Sequence, residues 1–383
     1  MYFIIAGVVI ALACTVITVR TLVSYSDIRL PGKLVIGFMV AYGWFAPFII
    51  AGVKKYALLS SEIYNLFAPV SYFLFGTAFL LFSLLLFRDV LWYLLYGIVR
   101  IFDRTNWVLN PKNLNVLGKV NLITVGLTIV LAAYAFYEGV KEPEIRDIYI
   151  TSNRIHKNVT MLQLTDLHIN RTTSVDDIDK LVNRVNSLRP DFIVLTGDIV
   201  DDKVDVLTAQ TNALAKLKAP YGVYISFGNH ELYNGIASWQ KRFEEMGFHL
   251  LFNKGLPVGD TNIYLAGIPD SHTASMSPML NVNFYKALKG SKKTQYKVLM
   301  SHTPDFVDYL SSRIIDLQLS GHTHGGQIFP FHLLVKKANK YLAGLYDVRG
   351  LKLYVSRGVG SWGPPMRLFA PAEITLISLL PED

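Results

Sequence analysis

Hydrophobic positions are arranged in two contrasting ways along this chain. Over the first third they form four nearly continuous runs, at about Tyr2 to Val19, Leu34 to Val53, Leu66 to Phe87 and Val120 to Tyr137. Each is near the ~20 residues that a membrane-spanning helix needs. Buried core helices are the alternative. Four such runs in succession, split by short polar loops and flanked by Trp and Tyr, favour spans. Leu91 to Arg104 is also apolar, but Arg88, Asp89, Arg100 and Arg104 interrupt it, which suits a helix lying at the interface better than a fifth span. From about Ile145 the pattern changes to short runs of Val, Ile and Leu, each ending in a polar cluster, with helical spacing between them. That alternation predicts an α/β domain. Buried strands are expected at Val159 to Leu164, Phe192 to Thr196, Val223 to Phe227, Lys297 to Met300 and Asp316 to Leu319, with further strands at Asn262 to Ile268, Leu351 to Val355 and Glu373 to Leu379. Ile178, Leu181, Val182 and Val185 recur at helical spacing behind an N-cap at Ser174. The division is therefore a transmembrane domain over 1–144 and a second domain over 145–383.

Composition sharpens this picture only in part. The chain is 51% hydrophobic and 17% charged, too apolar for a purely soluble protein. The net charge of +8 divides evenly, +4 before and +4 after residue 144, without a run of Lys and Arg, which argues against nucleic acid as a partner. The single cysteine, Cys14, lies inside the first apolar run, so neither a disulfide framework nor a thiolate metal site is available. Nothing basic precedes Arg20, so the first run reads as a retained helix rather than a cleaved signal or a lipoprotein leader at Cys14. Basic residues are denser in the first loop (Arg20, Arg29, Lys33) and third loop (Arg88, Arg100, Arg104, Lys112, Lys119) than in the second (Lys54, Lys55). The positive-inside rule then puts the first and third loops in the cytoplasm and the C-terminal domain on the far side of an inner, cytoplasmic membrane. Lys141, Arg146 and Arg154 narrow that bias.

The chemistry lies where strands end, the edge at which open α/β sheets build their sites. There stand Asp166-Leu167-His168, Gly197-Asp198-Ile199-Val200-Asp201, Gly228-Asn229-His230-Glu231, Ser301-His302-Thr303 and Gly321-His322-Thr323-His324-Gly325-Gly326. Singly these are weak signals: Gly-Asn-His is equally a turn that exploits left-handed backbone. Jointly they combine carboxylates with imidazoles, a donor set for Mn²⁺, Fe or Zn²⁺. Two such ions about 4 Å apart need more ligands than one loop offers and a carboxylate to bridge them. Five of the nine histidines fall in these clusters; His156, His249, His272 and His332 read as surface or otherwise satisfied polar residues. Asp201 and Glu231 read as supporting or loop-capping groups, and Asp202 and Asp205 as solvated.

In this order the motifs D-x-H, G-D-x-x-D, G-N-H-E, an isolated His before Thr-Pro and G-H-T-H resemble the calcineurin-like metallophosphoesterase superfamily over roughly Asn158 to Leu380. The Gly-His-Thr-His-Gly-Gly-Gln-Ile stretch and the later Val355-Ser356-Arg357-Gly358-Val359-Gly360 resemble a bacterial branch of membrane-bound or exported phosphoesterases, which includes enzymes that cleave the pyrophosphate of a nucleotide-linked lipid A precursor. The resemblance implies two mixed β-sheets sandwiched between helices. It also implies one metal held by Asp166, His168, Asp198 and His324, a second held by Asp198, Asn229, His302 and His322, and His230 standing over the phosphate as a catalytic non-ligand. Manganese is the first expectation, with Zn²⁺ or Fe as alternatives. The implied reaction is attack on phosphorus by a metal-activated hydroxide, with His230 assisting the leaving group. Four spans are more than most of that branch carries.

A short tether from Glu138 to Glu144 favours a lipid-linked or membrane-proximal phosphorylated substrate. The segment Ile328 to Val335, followed by Lys336, Lys337 and Lys340, suits an interfacial loop meeting acidic lipid and equally a buried strand in a core hairpin, with Trp362 to Met366 near it. Two rival functions are a transporter or sensor regulated by the second domain and a non-catalytic metal-binding scaffold. The scarcity of ionisable residues inside the spans argues against the first, and the complete ligand set against the second.

Overall fold

The computed structural model describes residues 2–24, 28–102, 108–110, 113–270 and 281–382. The chain divides into two units, Met1–Val140 with Gly363–Met366, and Lys141–Trp362 with Arg367–Asp383.

The first unit is built of α1 (Tyr2–Ser24), α2 (Leu30–Lys55), α3 (Ser61–Phe102) and α4 (Leu114–Val140). All four are long and apolar enough to cross a membrane. Their hydroxyls turn back to the preceding turn, Thr15 Oγ1 to Ala11 O, Thr77 Oγ1 to Phe73 O and Thr124 Oγ1 to Val120 O at 2.8 Å each, so they need no water. The interfacial helix expected from Leu91 does not form a separate element. Instead α3 continues unbroken for 42 residues, roughly 63 Å at 1.5 Å per residue. Two of the charges that suggest a break, Arg88 and Asp89, are partnered: Arg88 Nη1 donates to Asn121 Oδ1 at 2.5 Å and Arg88 Nε lies 2.8 Å from Asp89 Oδ1. Arg104 and Lys112 lie outside the described residues.

The second unit runs β1 (Glu144–Ser152), β2 (Val159–Leu164), α5 (Val175–Ser187), β3 (Phe192–Thr196), α6 (Thr208–Leu214), β4 (Val223–Ser226), α7 (Asn229–Tyr233), α8 (Ile236–Glu245), β5 (His249–Leu250), β6 (Lys254–Pro257), β7 (Ile263–Gly267), α9 (Phe284–Ala287), β8 (Tyr296–Met300), β9 (Leu317–Ser320), α10 (His332–Asn339), β10 (Gly344–Val348), β11 (Leu351–Val355) and β12 (Glu373–Pro381). Two six-stranded mixed sheets result, ordered β1-β12-β2-β3-β4-β5 and β10-β11-β9-β8-β7-β6. Within them β2, β3, β4 and β5 run parallel, as do β7, β8, β9 and β11.

Side-chain alternation along the strands builds three layers of core. Met161, Phe192, Val194 and Tyr224 of the first sheet pack with Val298, Met300, Leu317 and Leu319 of the second. The opposite face of the first sheet, with Leu162, Ile193 and Ile225, packs on Ile178, Val182 and Val185 of α5 and on Trp239 and Phe243 of α8. Leu299, Leu351 and Leu353 of the second sheet pack on Ala287 and Val307. Because the central parallel strands are buried on both faces, their carboxyl ends open together at one edge. Gln163 Nε2 of β2 donates to Ser320 O of β9 at 3.1 Å, tying the sheets together there.

All eight expected strands are present to within a residue or two, and Ser174 caps α5 by accepting from Asp177 N at 3.1 Å. Strands β1, β5, β6 and β10 go beyond the expected set. β1 is largely exposed and owes its place to nine residues of parallel pairing with β12. Since α4 reaches Val140 and β1 starts at Glu144, the tether is residues 141–143 rather than the seven expected.

Candidate metal centre

Each motif occupies the loop beyond a parallel strand: Asp166 and His168 after β2, Asp198 after β3, Asn229 and His230 at the start of α7 after β4, His302 after β8, and His322 and His324 after β9. Five of these hold left-handed backbone, with φ of 54° at Asp166, 48° at His168, 52° at Asp198, 69° at His322 and 49° at His324. For residues with a Cβ such conformers cost on the order of 1–3 kcal/mol each and persist where their surroundings impose them. The surroundings are tight. A Cβ on Gly228 would collide with Asp198 Oδ1, and one on Gly321 with Asp166 Oδ2. Glycine at both positions lets backbone close onto the two carboxylates.

The side chains converge. Ligand atoms of Asp166, His168 and His324 lie within 4.8 Å of one another, as do those of Asp198, His302 and His322. His168, Asp198 and His230 form a third such group, so the expected non-ligand stands as near the centre as the ligands do. His302 Nε2 is 3.0 Å from Asp198 Oδ2, His324 Nε2 is 3.4 Å from Asp166 Oδ1, and the Nε2 atoms of His168 and His324 face each other at 3.0 Å. Asn229 Oδ1 and His302 Nε2 are buried without a hydrogen-bond partner among the described residues. An unpartnered amide oxygen and inward-turned imidazoles crowded against two buried carboxylates fit divalent cations, which satisfy such groups where protein donors do not.

A surrounding shell sets the rings. His302 Nδ1 donates to Thr196 O at 2.8 Å, and His168 Nδ1 donates to Asp201 Oδ1 at 2.9 Å, so both turn Nε2 inward. Asp201 Oδ1 also accepts from His230 Nδ1 at 2.6 Å. The Glu231 carboxylate accepts from the backbone N–H groups of Gly228, Asp198, Ile199 and Val200, stitching two motif loops together. Asp201 and Glu231 thus have the supporting roles expected of them. Asp202, expected to be solvated, is buried: its carboxylate accepts from Arg171 Nε at 2.9 Å and its carbonyl from Trp239 Nε1. Asp205 is exposed.

Titration of the protein's own groups follows this geometry. Burial opposes charge on His168, but Asp201 outweighs it and raises the imidazole to about 9. Burial together with the Asp198 charge pushes Glu231 up to about 7. Burial would raise Asp198 as well, yet His302 and the neighbouring rings hold it well below the usual carboxylate range. Burial and the neighbouring charges of His168 and Arg367 drive His324 well below the usual imidazole range.

Sequence reasoning misses Arg367. Fully buried, it donates to the carbonyls of Arg357, Gly358, Gly360 and Ala370, and its Nη2 lies 3.4 Å from His324 Nδ1. The loop it braces returns Gly360 N to Asp166 O at 2.8 Å. A lone Arg seven residues beyond the last quoted motif residue carries no sequence signal of that role. Of the remaining histidines, His156 and His249 are exposed and His332 stacks on Phe329 with ring centroids 5.0 Å apart, while His272 lies outside the described residues.

The calcineurin-like phosphoesterase family profile matches residues 159–326. A metallophosphoesterase of Helicobacter pylori (strain J99) is 35% identical over 271 residues, 70% of this chain and 72% of that one. The chain belongs to the calcineurin-like metallophosphoesterases. A transmembrane protein with a metallophosphoesterase domain from Danio rerio is 32% identical, over 66% of this chain and 61% of its own length. The solved 5'-nucleotidase precursor of Thermus thermophilus superposes with a TM-score of 0.38 at 16% identity, over 58% of this chain and 54% of that one, too loose a likeness to bear on function. This metallophosphoesterase is accordingly a metal-dependent hydrolase of phosphoester bonds, and the matched residues run from the start of β2 through the loop after β9.

Proposed function

We propose that this metallophosphoesterase is a membrane-anchored, two-metal phosphohydrolase acting on a phosphoester or pyrophosphate of a lipid-linked or membrane-proximal substrate. The observation that carries the reading is the convergence of two clusters of ligand atoms, Asp166 with His168 and His324 and Asp198 with His302 and His322, linked by a third in which His168 and Asp198 meet His230. Asp166, His168, Asp198 and His324 would hold one cation, and Asp198, Asn229, His302 and His322 the other, with Mn²⁺ the first candidate. When bound, such a pair supplies a water of lowered pKa and offsets charge on the phosphoryl oxygens.

The chain's own groups do the rest. Hydrogen bonds from Nδ1 to Thr196 O and Asp201 keep the Nε2 lone pairs of His302 and His168 turned inward. His230 anchors Nδ1 on Asp201, which leaves its Nε2 facing the centre, 3.9 Å from Asp198 Oδ2. Burial opposes a charged His230 ring, but Asp201 and Asp198 favour it and raise the imidazole, which suits Nε2 to donating a proton to a leaving oxygen. The tether of residues 141–143 favours a substrate at the bilayer surface. The excess of basic residues in the first and third loops supports an inner-membrane protein with the catalytic unit outside the cytoplasm.

The test is hydrolysis of an aryl phosphodiester by the detergent-solubilised full chain. Activity should vanish with chelator, return with Mn²⁺ and fall in His230→Ala while bound metal is retained. Loss of metal in that variant would contradict the role given to His230.

A further inference from the structure

An interfacial loop and a buried strand are the two expectations for Ile328 to Val335, and the chain forms neither. It turns into α10, none of whose residues is buried. Leu333 and Leu334 are 61% and 62% exposed, and Phe329 and Phe331 just before them are also exposed. A bridge between Ile328 and Leu368 brings up a second segment, in which Phe369 is 73% exposed with its ring 5.7 Å from Phe329. Trp362, likewise exposed, is tied in by Gln327, which donates to its carbonyl and accepts from its N–H, each at 3.0 Å. Large apolar side chains from two segments thus share one exposed lip, and soluble surfaces rarely carry such a patch without a partner.

We infer that this lip docks on an anionic lipid surface. Three observations select lipid over a protein partner. α10 carries no acidic residue, and exposed Lys336 and Lys337 closely follow Leu333 and Leu334, the pairing of apolar and basic groups that an interfacial helix uses. Phe and Trp, side chains suited to the boundary of acyl chains and headgroups, supply most of the remaining lip. Only residues 141–143 link β1 to α4, a helix long and apolar enough to cross a membrane. The lip also adjoins the candidate centre, because Gln327 follows His324-Gly325-Gly326 directly and the backbone of His332 lies against Gly326. An amphiphile with its chains in the bilayer could then present its phosphate to the centre without leaving the membrane. The inference rests on the membrane-anchored reading and deepens its substrate class.

The test uses the full chain in vesicles of phosphatidylcholine and phosphatidylglycerol. In a Cys14→Ser background, an environment-sensitive fluorophore is placed on Leu334→Cys and, in a second preparation, on Lys241→Cys of α8. Lipid-borne quencher should quench the first label and leave the second bright, and omitting phosphatidylglycerol or adding Lys336→Glu with Lys337→Glu should weaken the quenching. A label at Leu334→Cys that stays as bright as the one on α8, or that is shielded from water yet untouched by the lipid quencher, overturns the inference. Phe331→Cys provides a second labelling position should Leu334→Cys misfold. Hydrolysis of the soluble aryl phosphodiester by the unlabelled protein is scored separately, so failure to dock and failure to hydrolyse remain distinguishable.

Discussion

The two units handle polar side chains in opposite ways. In the helical unit the hydroxyls of Thr15, Thr77 and Thr124 close onto their own helix, and the buried Arg88 is held by Asn121 and Asp89. In the α/β unit, polar groups from five separate loops point at one another, and some, such as Asn229 Oδ1 and His302 Nε2, are left without a hydrogen-bond partner among the described residues. The helical unit has buried polar atoms without a hydrogen-bond partner as well, Trp44 Nε1 and Arg88 Nη2 among them, but they stand on separate helices, whereas those of the α/β unit gather where a ligand can use them. The helical unit is thereby suited to an apolar surrounding, and the α/β unit carries the candidate chemistry.

Substitutions can break that division. The largest effect is expected from Asp198→Asn, which removes the charge shared by the clusters and should lower kcat/KM on the order of 10³-fold, with loss of bound metal measured by elemental analysis. His230→Ala should lower kcat by about 10²-fold with metal content unchanged, as read from initial rates beside the same analysis. Asp201→Asn removes the charge on which the Nδ1 atoms of two rings rest and should weaken metal affinity by about 10- to 100-fold in a competition with chelator. The smallest effect on catalysis belongs to Arg88→Met in the helical unit. It leaves Asn121 Oδ1 unpaired, lowering stability by about 1–3 kcal/mol in thermal unfolding, while kcat stays at the parent value. A fall in kcat equal to that of His230→Ala would end the separation of the helical unit from catalysis.

Much of the site is legible in the sequence because buried strands advertise themselves. Phe192–Thr196 is apolar on both faces, and the polar break after it had to be Gly197-Asp198. Strands β1 and β10 escape notice because they are only partly buried, and pairing rather than burial holds them in place. Asp202 reads as solvated because its partner Arg171 lies 31 residues away, and nothing local marks a buried ion pair. The left-handed backbone at five candidate ligands is likewise a product of tertiary crowding, with close-set glycines such as Gly228, Gly321 and Gly358 its trace in the sequence. The unbroken α3 shows the same limit, since Arg88, one of the charges that suggest its end, is answered from α4.

The most direct measurement is anomalous diffraction from crystals of the full chain grown with Mn²⁺. Two strong peaks about 4 Å apart, one on each side of the Asp198 carboxylate, are the expected result. A single peak, or peaks that leave Asp198 untouched, would contradict the two-metal account.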